Sequence, residues 1–286
     1  MVQPVPLNFA PTGMVPTKEM TPHVPVTPAE IVEEVRTATR IGITSVHLHA
    51  RDPETGDPTW ERGVFADIIG GIREFAPELV ICVSLSGRNW SAFEKRTDVL
   101  ELTGDRKPDM GSLTLSSMNF SDEASVNSPA MVESLAMRMS EVGVLPELEA
   151  FDLGMLNVAR YLTEKGLLEP PHYVNLLLGN VATAQADLAH VGAMVRDLPE
   201  DSVWALAGIG DEQLPMNALA IAAGGGVRVG IEDSIYVAPD DDRLATNEEL
   251  LRRVHELAAI NRRAVMDPQE LRVRLDLEPG NGRYGR

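Results

Sequence analysis

The feature that most constrains the fold is a regular alternation of short β-branched apolar runs with amphipathic stretches of helical period, the pattern of parallel strands joined by crossover helices. Eight such runs are predicted as strands, at residues 5–9, 43–49, 79–85, 111–115, 145–151, 173–178, 203–207 and 227–232. Within 286 residues, eight strand–helix units are expected to close into a (β/α)8 TIM barrel of the α/β class rather than to spread as an open sheet. The first crossover carries its own punctuation: Thr27 as N-cap, Pro28 in the first turn, Glu30 completing a capping box and Gly42 just past the end. Ile31, Val35 and Ala38 form its buried stripe, and a later helix begins at Ser128-Pro129 with Met131, Leu135 and Met139 on one face. No linker or internal repeat divides the chain, so a single domain over residues 1–286 is expected. Its last part, from about residue 245 to 286, reads as a C-terminal helical extension ending in a Gly- and Arg-containing tail that is flexible or contacts a partner.

Composition narrows the function classes. The 44% of hydrophobic residues suffices for a large core, yet no stretch approaches the roughly 18 apolar residues of a membrane span. A formal charge of −18 repels nucleic-acid phosphate and anionic lipid, so neither is an expected partner, and an anionic substrate must find local positive charge. The opening residues lack a secretory pattern and the lone Cys82 cannot form an intrachain disulfide, which predicts a cytoplasmic protein.

Residues two apart on a strand face the same way, so His47 and His49 in Val46-His47-Leu48-His49 project together toward the expected barrel mouth. Two adjacent imidazoles are costly to bury without a shared ligand, and they are read as metal ligands. Glu232, at the end of the run Arg228-Val229-Gly230-Ile231-Glu232-Asp233, is the candidate third ligand, because barrel closure brings the last strand beside the first. Two histidines and a carboxylate leave a coordination position open, as catalytic sites do. Zinc is the expected ion, while manganese, iron and cobalt suit the same donors. Arg228 shares parity with Glu232, and Asp233 begins the following loop; the pair reads equally as a proton-abstracting base with a carboxylate-binding arginine or as a structural salt bridge. Ser86, Gly87 and Arg88 after the third strand, Ser112 and Thr114 in the fourth, are candidate contacts for a substrate carboxylate, and Asp52 and Glu149 candidate partners that orient the histidines. Gly224-Gly225-Gly226 and Gly208-Ile209-Gly210 lack the remaining residues of a phosphate loop or dinucleotide fingerprint.

Taken together, Pro25-Val26-Thr27-Pro28-Ala29-Glu30, His47-Leu48-His49-Ala50-Arg51, Pro146-Glu147-Leu148-Glu149, Trp204-Ala205-Leu206-Ala207-Gly208-Ile209-Gly210 and Arg228-Val229-Gly230-Ile231-Glu232-Asp233 resemble, in order along nearly the whole chain, the β-keto acid cleavage enzymes. The resemblance implies a zinc-bearing barrel, usually a homotetramer, that converts a β-keto acid and acetyl-CoA into acetoacetate and a new acyl-CoA by a Claisen step followed by its reverse. It places metal ligands on His47, His49 and Glu232, the proton-abstracting acid on Asp233, and its partner on Arg228. A zinc-dependent aldolase or a β-keto acid decarboxylase that needs no CoA is the rival reading.

Departures from the family bear on the substrate. Members that take an amino-substituted acid resemble one another in a glutamate shortly after a Thr-Gly pair, whereas here Thr12-Gly13 precedes Met14-Val15, so Val15 is expected to line an apolar edge. The Ser-Thr-Gly-Gly segment of those members appears as Leu85-Ser86-Gly87-Arg88, in which Arg88 is a replacement charge. The expected acid is unsubstituted, hydroxylated or a dicarboxylate, with a quaternary ammonium compound left open through Glu19 and nearby aromatic residues.

Overall fold

The computed structural model describes residues 3–286. Eight parallel strands close into a barrel in chain order: β1 (Leu7–Phe9), β2 (Ser45–Leu48), β3 (Val80–Val83), β4 (Met110–Thr114), β5 (Leu145–Ala150), β6 (His172–Leu178), β7 (Ser202–Gly208) and β8 (Gly226–Val229). β1 closes the ring, with Phe9 opposite Val46 on one side and Val229 on the other. The helices α1 (Pro28–Ile41), α2 (Arg62–Arg73), α3 (Phe93–Thr97), α4 (Pro129–Val142), α5 (Leu153–Glu164), α6 (Leu188–Arg196), α7 (Gln213–Ala222) and α8 (Asn247–Ile260) follow the strands one by one. This is the (β/α)8 TIM barrel that the alternation predicts.

Local rules explain the helix starts. Thr27 accepts from the Glu30 amide while Glu30 accepts from the Thr27 amide, and Ser128 caps α4 ahead of Pro129. The first and last strands are shorter than expected. Val5 pairs with Val265 of the C-terminal segment rather than within the barrel, its amide donating to Ala264. β8 stops at Val229 because the chain then turns, with the Asp233 and Ser234 amides both bonded to the Gly230 carbonyl. Glu232 is therefore a turn residue, not a strand residue.

α8 packs against α1 and α7 as the eighth helix of the barrel, so the extension proper starts later, with α9 (Pro268–Arg274) and the tail. These close the N-terminal end of the barrel. Met266, Leu271, Leu275 and Leu277 join Val80, Met110, Leu145 and Tyr173 in a separate apolar floor. The tail, which composition suggested is flexible or contacts a partner, packs against the barrel. Tyr284 stacks 3.7 Å beneath the Arg73 guanidinium, and the Arg286 amide donates to Gly143.

Asp109, fully buried just before β4, organises this floor. Its carboxylate accepts from Arg73 at 2.7 Å, from Arg272 at 2.9 Å, from the Ile81 amide at 2.9 Å and from the Gly285 amide at 3.1 Å. Burial alone would raise its pKa, but Arg73 and Arg272 outweigh that and hold it below the ordinary carboxylate value. Removing one partner of such a network strands two buried cations, so Asp109→Ala is expected to cost about 3–5 kcal/mol of stability in denaturant unfolding. Since the folded pKa is depressed, the stabilisation is complete above the unfolded value near 3.8 and disappears as pH falls through the lower folded value. An Asp109→Ala protein with wild-type stability at neutral pH contradicts this account.

Candidate active site

The C-terminal ends of the strands surround a cavity of about 490 Å³, the position at which TIM barrels carry their chemistry. Two small antiparallel ribbons, Ala50–Arg51 with Pro58–Thr59 and Met118–Asn119 with Ala124–Ser125, stand over its rim.

His47 and His49 lie on one face at the end of β2, their Nε2 atoms 3.3 Å apart, and Glu232 places Oε1 3.1 Å from His49 Nε2. Two atoms bound to a tetrahedral zinc at ~2.0–2.1 Å sit about 3.3 Å from each other, so this spacing suits one ion between them. The second oxygen of Glu232, Oε2, is buried without a partner among the described residues, an arrangement a cation would relieve. The three predicted ligands are thus brought together, although Glu232 reaches the histidines from the turn after β8.

The orienting group is Glu147, not Glu149 or Asp52. Glu147 Oε2 lies 2.6 Å from His47 Nδ1, and Asn8 donates to Glu147 Oε1 at 2.8 Å. With the proton on Nδ1, His47 turns an unprotonated Nε2 toward His49 and Glu232. Burial would raise the pKa of Glu147, but His47 and Arg228 hold it at about 2, so the acceptor stays charged. In turn, burial would lower that of His47, yet Glu147 outweighs it and makes the ring more basic. Burial lowers His49, against the pull of Glu232, which favours the neutral imidazole that a metal requires.

Cys82, His47 and Glu147 also cluster, but they make no second metal site. The 2.6 Å contact is too short to flank an ion, and burial together with Glu147 pushes the Cys82 thiol above its usual range, leaving it a donor to Glu147 at 3.2 Å. Glu149 instead accepts from Thr114 at 2.7 Å, and Asp52 closes its own turn by accepting from the Glu54 and Thr55 amides. Glu147 stands in the motif Pro146-Glu147-Leu148-Glu149 with the same strand parity as Glu149; parity alone does not say which of two inward acids meets the histidine.

Arg228 is buried and grips both acids of the β8 turn: Nη2 donates to Glu232 at 2.7 Å and Nε to Asp233 at 3.1 Å. The two acids diverge. Burial would raise Glu232, but His49, Arg228 and His47 hold it well below the carboxylate range. Burial raises Asp233, opposed by Arg228 and reinforced by the charge of Glu232. One acid is therefore a permanent anion beside the histidines and the other a carboxylate with raised proton affinity, the split expected of a ligand and a base.

Arg51 fixes the loop above them, donating to the carbonyls of Gly13 at 3.0 Å and Pro16 at 2.9 Å. Gly13 has to be glycine: its φ is +65°, and a Cβ there would lie 2.6 Å from Glu232 Cγ. This loop carries Met14 and Val15 into the cavity wall, with Val15 at the expected edge, while Glu19 is exposed and does not line the cavity.

The predicted substrate contacts divide. Ser86, Arg88 and Thr114 line the cavity. Ser112 does not; its hydroxyl accepts from the Leu85 amide at 3.0 Å and holds the β3 loop. Gly87 is also off the wall, and its lack of a side chain serves Arg96, whose Nη1 would lie 2.7 Å from a Cβ. Arg88 stacks 3.5 Å over Phe120 and pairs with Glu123 at 3.1 Å.

Comparison with known proteins decides what this constellation belongs to. The family described as beta-keto acid cleavage enzyme matches residues 4–277. The chain belongs to the β-keto acid cleavage enzyme family. Among curated relatives of this family, the 3-keto-5-aminohexanoate cleavage enzyme of Fusobacterium nucleatum is 36% identical over 97% of this chain and 100% of its own. The 3-oxoadipate:acetyl-CoA acetyltransferase of Cupriavidus necator is 36% identical over 97% and 96%, and the 3-dehydrocarnitine:acetyl-CoA trimethylamine transferase of Rhizobium meliloti 34% identical over 95% and 96%. The apo structure of ObcA superposes with a TM-score of 0.77 at 20% identity, over 90% of this chain and 66% of that larger one, and so shares the barrel. As a β-keto acid cleavage enzyme, the chain is an enzyme, and no helix of its described residues is long and apolar enough to cross a membrane.

Proposed function

We propose that this β-keto acid cleavage enzyme condenses a β-keto acid with acetyl-CoA and releases acetoacetate and a new acyl-CoA, using a zinc ion held by His47, His49 and Glu232. The observation that carries the reading is the convergence of three donor atoms beside a second, differently tuned carboxylate, with His47 Nε2 and His49 Nε2 3.3 Å apart and Arg228 joining Glu232 to Asp233. The relatives named for acetyl-CoA transfer support the choice of co-substrate.

Bound there, a divalent ion supplies Lewis-acid polarisation of the keto oxygen and so acidifies the carbon between the two carbonyls. Asp233 removes a proton from that carbon, its raised proton affinity suiting it to the task. The resulting carbanion attacks the acetyl thioester and expels CoA thiolate; the thiolate then adds to the original keto carbon. The bond between that carbon and its neighbour breaks, acetoacetate departs as a carbanion, and Asp233 returns the proton to it. Throughout, Arg228 keeps Asp233 facing the cavity, and Glu147 keeps His47 in the tautomer that leaves Nε2 free.

Val15 and Met14 stand where amino-acid-selective relatives are expected to carry an acid, which supports a substrate without an ammonium group. Ser86, Arg88 and Thr114 are its proposed polar contacts. A homotetramer, implied by the family resemblance, and a cytoplasmic setting, expected from the lone Cys82, are part of the same proposal. A panel of β-keto acids offered with and without acetyl-CoA tests the function. Acetoacetate that appears only with acetyl-CoA is the expected result, and loss of keto acid without it supports the aldolase or decarboxylase instead.

A further inference from the structure

Beside the main cavity and sharing His49, Ser84 and Ser86 with it, a niche of about 20 Å³ lies between the β3 loop and the ribbon that follows β2. Arg96 forms part of its wall. The arginine is 3% exposed, and its Nε donates to the Leu85 carbonyl at 2.8 Å, but Nη1 and Nη2 are buried with no acceptor among the described residues. A guanidinium with two buried, unbonded nitrogens is costly unless an acceptor arrives. Arg88 differs from it in already holding two partners, Glu123 and the Phe120 face.

The polar part of the niche suits an anion. Its lining carries Lys95 and the Ser84 and Ser86 hydroxyls and no acidic residue, in a protein whose formal charge is −18. Ser86 and Arg88 amides occupy the acceptor side of Ser84 and Ser86, which leaves both hydroxyl protons available to donate. The free volume of about 20 Å³ is little more than the ~10–15 Å³ that one water needs, so the group that enters is a small one. Gly87, lacking a Cβ, lets the guanidinium lie against the loop.

We propose that Arg96 anchors a substrate carboxylate in this niche, with Ser84 and Ser86 donating to the same group at its entrance. The inference rests on the β-keto acid reading and adds to it a binding residue buried beneath the loop. The carboxylate is either the one next to the reacting carbon or a second one at the far end of a dicarboxylic substrate. The fork of Arg96 matches either one in two parallel hydrogen bonds, which a lysine cannot make.

Calorimetric titration of the zinc-loaded protein with acetoacetate, 3-oxoadipate and uncharged methyl acetoacetate tests this, comparing wild type with Arg96→Met and Arg96→Lys. Loss of a charge-assisted pair to a buried partner should weaken carboxylate binding on the order of 30- to 100-fold in Arg96→Met. In Arg96→Lys a loss of at least about fivefold is expected, and this variant carries the test if Arg96→Met does not fold. Methyl acetoacetate should bind all folded variants alike. Equal losses for both acids assign the reacting carboxylate to the niche, and a loss confined to 3-oxoadipate assigns the distal one. Unchanged affinity for both acids in a folded variant overturns the role of Arg96 and leaves the reaction standing. A wild-type protein that binds neither acid overturns the reading beneath it as well.

Discussion

Replacing Asp233 by Asn should lower turnover by about three to four orders of magnitude while zinc content stays at the wild-type level. Asn keeps the shape and can still accept from Arg228 Nε, now 3.1 Å from Asp233 Oδ2, so the β8 turn should hold. What it lacks is a basic oxygen. The reaction needs that oxygen twice, to take a proton before condensation and to return one after cleavage, and the neighbouring Glu232 is held too acidic by His49 and Arg228 to serve. Near-normal turnover in Asp233→Asn would reject Asp233 as the base and leave the Arg228 pair structural.

His47→Ala attacks the other half of the constellation. Losing one of three protein ligands, together with the ring that Glu147 orients at 2.6 Å, should bring zinc below about a tenth of an ion per chain and activity with it. The variant also leaves Glu147 buried with only Asn8 and Cys82 as donors, so a loss of stability of about 3 kcal/mol is expected alongside. Metal analysis by mass spectrometry separates the two effects. Full zinc occupancy in folded His47→Ala means that the ion, if bound, is held elsewhere.

The barrel and its closing order were legible because strand–helix alternation is a backbone-level pattern that eight repetitions reinforce. The proximity of His47, His49 and Glu232 followed from that order, since closure sets β8 beside β1. What could not be read were contacts fixed by turns and side-chain reach. Glu232 belongs to a turn, not a strand, because Gly230 ends β8; its approach to His49 depends on Gly13 leaving room. Glu147 and Glu149 have equal parity, and only their height in the barrel decides that the former meets His47 and the latter Thr114. Ser112 looked like a ligand-binding hydroxyl and is a backbone clamp. Arg96 escaped notice because a single arginine in a charged helical segment has no periodic signature; its significance lies in two buried nitrogens without a partner among the described residues. The C-terminal tail looked flexible or partner-contacting from its glycines and arginines, yet Tyr284 stacks on Arg73 and Arg272, and Arg286 donates to the carbonyls of Leu275 and Pro171.

The most direct test of the central claim follows the carbon atoms. With both acetyl carbons of acetyl-CoA labelled with carbon-13 and an accepted β-keto acid unlabelled, the account predicts acetoacetate carrying the label in its keto and methyl carbons and a new acyl-CoA carrying none in its acyl group. Unlabelled acetoacetate, or keto acid consumed while the labelled acetyl-CoA stays intact, would contradict it.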